Sequence, residues 1–213
     1  MTTEPLTAEL LISTGCSHCP VVLDALSALL KKGVIARLSI TNINEAPERA
    51  QQLGARSVPW LQLGPFTLTG AYSLGEITEW AELAGSIKGM SRYIEQELKQ
   101  GKFSEVESLL KSQPQWLSAL IPLMENEETD MKTRFGVDAL IESLASEIDL
   151  SPLISGLGKL SASDRPSLRT DATHYLSLTR HNDAVPFLRA RLNDENEEVR
   201  EIAREGLEEC SSS

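Results

Sequence analysis

The chain has 213 residues, 41% hydrophobic and 24% charged, which is the composition of a globular protein and room for two domains. No apolar run is long enough to span a bilayer, and Met1 to Glu9 carries two acidic residues and no basic one, unlike a secretory leader, so the expected location is the cytoplasm. The net charge of −11 is uneven: residues 1–88 hold six Lys/Arg and eight Asp/Glu, residues 89–213 fourteen and twenty-three, and so acidic a second half argues against nucleic acid or an anionic membrane as partner.

Residues 9–13 form a short apolar run that suits a buried strand. Thr14-Gly15-Cys16-Ser17-His18-Cys19-Pro20 follows, and from Val21 the apolar positions Val22, Leu23, Leu26, Leu29 and Leu30 fall at helical spacing until Gly33. Val34 to Ile40 alternates and is β-branched, which predicts a strand. Glu45 to Leu53 predicts a short helix stopped by Gly54. Val58-Pro59 opens the apolar run Trp60 to Leu63, Gly64-Pro65 turns the chain, and Phe66 to Thr69 pairs back as a hairpin. Ser73 with Glu76 three residues on is a capping box for a helix to about Leu83 or Ala84. The order is β-α-β-α-β-β-α, in which the first crossover implies a parallel pair and the hairpin adds antiparallel strands. Gly85 to Gly89 reads as a linker.

Beyond Gly89 nothing reads as a strand. Met131 to Leu144, Arg165 to Leu178 and Asn196 to Glu209 overlay on Arg134, Arg169 and Arg200, and each is preceded by a second helical stretch: Trp116 to Met124, Leu150 to Leu160 and Ala184 to Leu192. Helix pairs recurring at this period are the signature of an α-solenoid. The last unit, with Asp194 at its turn and Val199-Arg200 opening its second helix, closely resembles a HEAT repeat. The expected division is 1–86 for the α/β domain, 87–112 for linker and capping helices, and 113–213 for about three HEAT-like helix pairs. The three arginines are expected to bond along the stack.

Of the three cysteines, Cys16 and Cys19 form a Cys-x-x-Cys, which in a cytosolic chain points to redox or metal chemistry. At a helix start, unpaired N–H groups and the helix dipole favour a thiolate on the first sulfur, so Cys16 is the expected nucleophile. Cys19, one turn on, is placed to resolve the mixed disulfide. Ser17 and His18 tune the pair, and a cationic His18 stabilises the reduced form relative to a proline there.

With these residues in view, positions 9–84 resemble a thioredoxin-fold domain, nearer to compact glutaredoxin-like and archaeal thioredoxins than to the longer bacterial type. The features are Cys16-Ser-His-Cys19-Pro20, Ser57-Val58-Pro59 and Gly70-Ala71-Tyr72-Ser73. The resemblance implies a cis Val58-Pro59 bond beside the sulfurs, with the Val58 backbone holding extended substrate. It makes Cys16, Cys19 and His18 the catalytic candidates and Ser17, Val58, Pro59 and Trp60 the substrate-binding ones. The family's buried Asp is Leu10 here and its Trp before the first cysteine is Gly15. Glu9, His18 or water are then the alternatives for taking the proton of Cys19. No Gly-Gly or acidic residue follows the last strand, so glutathione binding is not implied.

The implied activity is thiol–disulfide exchange on protein disulfides, with no cofactor beyond the Cys16–Cys19 disulfide and no metal. Helical repeats would select protein partners, and a thioredoxin reductase or another donor would supply electrons. Three alternatives stand beside it: a zinc or bridged-cluster site, a fold kept without activity, and a redox-sensing adaptor that is not an enzyme. Trp60 is equally readable as core, Trp80 and Trp116 read as core or interface, His174 as packing or surface, and Cys210 as an exposed thiol of no consequence.

Overall fold

A computed structural model describes residues 5–211. Met1 to Glu4, on which the expectation of no secretory leader partly rests, and Ser212 and Ser213 lie outside the described residues. The chain divides into two compact units, Met1–Met90 and Ser91–Ser213. No helix among the described residues is long and apolar enough to cross a membrane.

The first unit is a small mixed sheet with helices. Strand β1 (Thr7–Ile12) leads to helix α1 (Cys19–Lys31), then β2 (Arg37–Asn42), α2 (Pro47–Gln52), β3 (Trp60–Leu63), β4 (Phe66–Thr69) and α3 (Leu74–Leu83). The strand order is β2-β1-β3-β4. β1 and β2 are parallel, as a helical crossover requires, and the other pairs are antiparallel.

Register explains the layering. Leu38, Ala8, Leu63 and Phe66 fall in one cross-strand row, and Ile40, Leu10, Leu61 and Leu68 in the next row of the same face. That face is apolar. Trp80 of α3 packs on Phe66 with ring centroids 4.9 Å apart, and α1 lies against α3. Along α1 the buried residues are Cys19, Val22, Ala25, Leu26 and Leu29, a single stripe. Each buried leucine there contributes roughly 1.5–3 kcal/mol of transfer free energy. The opposite face carries the row Ser39, Glu9, Gln62 and Thr67 and is polar; only Leu11 and Trp60, at the end of β1 that leads to the cysteines, are apolar and buried there.

The ends of β1 and α2 and the end of β2 lie one or two residues from the sequence-based expectation, and two further boundaries differ by more. The second strand starts at Arg37 instead of Val34. Gly33 takes φ +73°, so that its N–H bonds Leu30 O and that of Val34 bonds Leu29 O, closing α1 with a Schellman motif. Those bonds draw Val34 out of the strand, and pairing resumes only when the Ala36 N–H reaches Leu6 O at 2.8 Å. The expected linker is also largely helix. Ser86 Oγ accepts the Gly89 N–H and caps α4 (Ile87–Lys99), so Ile87 to Gly89 are its first turn. The Ser73–Glu76 capping box of α3 forms with both of its bonds.

The second unit is helical throughout its described residues. After α4 comes α5 (Phe103–Ser112), then three helix pairs: α6 (Ile121–Glu125) with α7 (Met131–Leu144), α8 (Ile154–Leu160) with α9 (Pro166–Leu178), and α10 (Val185–Arg191) with α11 (Glu197–Ser211). The first helix of each pair is shorter than its hydrophobic pattern predicts, because its opening turn is a 3-10 helix: Pro114–Leu120, Ser151–Leu153 and Asn182–Ala184. Pro152 sits in the second of these 3-10 turns, and Pro122 and Pro186 sit in the first turns of α6 and α10, positions that tolerate a missing N–H.

The arginines at the overlay position behave differently from expectation. Arg134 bonds the carbonyls of Asn126, Glu127 and Thr129, and Arg200 those of Asp194 and Glu195, all in the turn of their own pair. Their spacing from the turn lets the guanidinium satisfy carbonyls of the turn itself, beyond the end of the preceding helix. Only Arg169 reaches the next turn, at Asp194 and Glu195. The other tie between turns is Arg165, which bonds Glu125 O at 2.6 Å and pairs with Glu127.

Candidate active site

β1 delivers the chain to a tight turn, Ser13 to Gly15, in which the Cys16 N–H bonds Ser13 O and Gly15 takes φ +82°. Cys16 and Cys19 form a disulfide with Cα atoms 5.5 Å apart. Cys19 is buried as the first residue of α1, whereas Cys16 is half-exposed. The Cys19 N–H donates to Cys16 Sγ at 3.1 Å. His18 occupies the N-cap position but its side chain makes no capping bond. The Cys16 sulfur therefore takes one of the helix-start N–H groups that have no partner within the helix, and a negative charge on it would be favoured by that donor and by the helix dipole. Ser17 and His18 are both exposed and flank the disulfide on the solvent side.

The turn is held by residues that the sequence reading passed over. The Thr14 N–H donates to Asn44 Oδ1 at 2.7 Å, and Asn42 Nδ2 donates to Thr14 Oγ1 at 3.1 Å. Asn42 also accepts the Asn44 N–H across an Asx turn. The Asn-Ile-Asn run at the end of β2 was the available signal, since asparagines two apart after a strand make such turns.

Val58-Pro59 is a cis peptide bond. Trp60 pairs with Leu11, so Val58-Pro59 leads into β3 at the end of the sheet where β1 runs on toward Cys16. Pro59 is buried and its carbonyl accepts the Gly70 N–H at 2.9 Å, which ties in the Gly70–Ser73 approach to α3. The N–H and C=O of Val58, a half-buried residue, have no partner among the described residues. Trp60 is only 4% exposed, so its ring belongs to the core and offers little to a substrate. Tyr72 is half-exposed.

Glu9 is withdrawn from the alternatives for proton acceptor. It lies on the opposite sheet face from Leu10, and Arg49 of α2 grips both of its carboxylate oxygens at 2.6 and 2.7 Å. That hydrogen-bonded pairing holds its pKa below the usual value, with partial burial opposing. A carboxylate so held is a poor base.

The remaining candidates lie elsewhere. Trp80 is in the core of the first unit, and Trp116 donates to Gln113 in the second. His174 is half-exposed on α9, 3.9 Å from Glu142, and His181 accepts the Asp183 N–H at the start of a 3-10 turn. Cys210 is buried rather than exposed, with its Sγ 3.7 Å from His181 O, because α11 runs on to Ser211 and turns this position inward. Burial pushes its thiol pKa up. Among the described residues no three His, Cys, Asp or Glu side chains are grouped to hold a metal ion.

No protein-family model matches the chain, and no curated protein matches it.

Proposed function

We propose that this protein is a thiol–disulfide oxidoreductase of protein substrates, built from a thioredoxin-like domain and a HEAT-like helical-repeat domain that selects partners. One observation carries the reading: Cys16 Sγ accepts the N–H of Cys19 at the start of α1. The β-α-β-α-β-β-α order, the strand order and the cis Val58-Pro59 bond support it.

In the reduced protein the Cys16 thiolate attacks one sulfur of a substrate disulfide. A Cys16–substrate bond forms, the substrate S–S bond breaks, and the departing substrate sulfur takes a proton. Cys19 then loses its proton to water or His18 and attacks Cys16 Sγ. This forms the Cys16–Cys19 disulfide and releases the substrate as a dithiol. Two electrons pass to the substrate, and a thioredoxin reductase or another dithiol donor returns them. The unpaired N–H and C=O of Val58 would hold the substrate backbone as an added strand. Ser17 and His18 would border it.

Insulin disulfide reduction with dithiothreitol as donor tests the reading, with Cys16→Ser as control. Turnover that disappears in the variant is expected; equal rates in the two proteins would overturn it.

The commitment of Glu9 to Arg49, with Leu10 beside it, favours a second reading in which the pair senses oxidation without rapid turnover. Trapping with Cys19→Ser separates the two. Mixed disulfides with several proteins support the enzyme; a single stoichiometric non-covalent partner supports a redox-sensing adaptor.

A further inference from the structure

The two most exposed large apolar side chains among the described residues, Met131 at 63% and Phe135 at 64%, lie one turn apart on α7. They rim a cavity of about 150 Å³ between α7 and α9, floored by the buried Leu123 and Leu168. Asp138, three residues beyond Phe135, and Asp171 of α9 line the same cavity. The space suits one side chain.

Neither carboxylate is neutralised by an ion pair among the described residues. Asp138 accepts the Tyr175 hydroxyl at one oxygen, and Asp171 has no hydrogen-bond or ion-pair partner. The arginines that also line the cavity are spent elsewhere: Arg134 on turn carbonyls, Arg165 on Glu125 O and Glu127. Partial burial, and then the charge of Asp138, push the Asp171 pKa up; Glu198 adds to this, and His174 and Arg134 oppose it. A cation entering the cavity relieves that repulsion.

We infer that the α7–α9 groove docks a basic segment of a partner protein, a Lys or Arg side chain reaching Asp138 and Asp171 while a neighbouring leucine-type residue covers Met131 and Phe135. Charge complementarity selects this occupant. The groove ends on two carboxylates, its open rim is apolar, and the unit around it is strongly acidic, which draws in cationic chains. An acidic segment would add to the repulsion at Asp171, and an uncharged one would leave the Asp138 charge acting on it. The inference deepens the partner-selecting role proposed for the repeats and does not depend on the chemistry of Cys16.

The test is fluorescence anisotropy with a labelled peptide of alternating leucine and lysine, and with the same peptide carrying serine for leucine. It uses the full chain, the Asp138→Asn/Asp171→Asn double variant, Phe135→Ser, and Glu205→Gln as a remote charge control on α11. Each substitution is at a solvent-accessible groove or surface position, and circular dichroism checks the fold. Saturable binding is expected, about fivefold weaker in the double variant and in Phe135→Ser, and within about twofold of the parent in Glu205→Gln. Equal affinity in all four proteins, or equal binding of the serine peptide, would overturn the inference. Insulin reduction is measured on the same preparations. Binding without reduction leaves the docking site standing and the redox reading fallen; reduction without binding does the reverse.

Discussion

Arg169 of α9 holds Asp194, in the turn of the following helix pair, at 3.0 Å with the two side chains only 6% and 4% exposed. The same carboxylate accepts the Asn196 N–H and lies 3.4 Å from Arg191, while the far side of Arg169 meets Glu195, which is open to solvent. A pair of this kind adds little by existing and costs much when broken, because the surviving charge stays buried. Asp194→Ala should therefore destabilise the helical unit by roughly 2–3 kcal/mol, below the fully buried case because Glu195 and water still reach Arg169. Urea unfolding followed by far-ultraviolet circular dichroism measures it. A loss under about 0.5 kcal/mol would mean that water already shares the pair.

Gly89 makes a sharper prediction, because propensity points the other way. Alanine normally stabilises a helix by about 1 kcal/mol over glycine. Here an added Cβ would stand 2.3 Å from Leu83 O and 2.8 Å from Leu83 Cβ. Gly89→Ala should lower the melting temperature, whereas Lys88→Ala, exposed in the same turn, should leave it unchanged or raised.

The Glu9–Arg49 pair predicts part of the acid limb of stability. The folded pKa of Glu9 lies below its ordinary 4.5, so the pair's contribution is present above that pH and fades as pH falls through the lower folded value. Glu9→Gln should flatten stability against pH in that window and leave the slope near neutrality unchanged. An identical acid limb in parent and variant would show that the pairing contributes nothing.

His18 sits exposed at the N-cap with no side-chain bond of its own, so its replacement tests tuning more than folding. His18→Pro should shift the Cys16–Cys19 potential to more negative values by about 30 mV, a tenfold change in the exchange constant. Equilibration against a glutathione series reads it out, and an unchanged potential would remove His18 from the site.

In the oxidised protein Cys210 is the one free thiol, and it is 7% exposed. It should react slowly with a chromogenic disulfide reagent in the native state and at once in denaturant. Rapid native labelling would mean that the end of α11 opens readily.

Much of the first unit was legible because its signals are local. Short apolar runs marked β1 and, with the Gly64-Pro65 turn, the hairpin, a 3.6-residue stripe marked α1, and Ser73 with Glu76 marked the start of α3. The beginning of β2 was not, since the bonds that pull Val34 back to Leu29 appear only once α1 has closed on Gly33. In the site, Cys16, Cys19 and Val58-Pro59 announce themselves by type and spacing. Asn42 and Asn44 do not, as their bonds to Thr14 span a parallel strand pair that only the folded sheet creates.

Residue order alone thus settled the element sequence, the helix pairs and the cysteines at a helix start, because periodicity, capping and backbone stereochemistry act over a few residues. Long-range packing decided the rest. It made one sheet face apolar and left Glu9 on the other in the grip of Arg49. It turned Cys210 inward, spent Arg134 and Arg200 on their own turns, and set Asp138 and Asp171 in one groove. Those outcomes depend on which residues distant in the chain come to share a row, a turn or a cavity, and on which charges then find a partner.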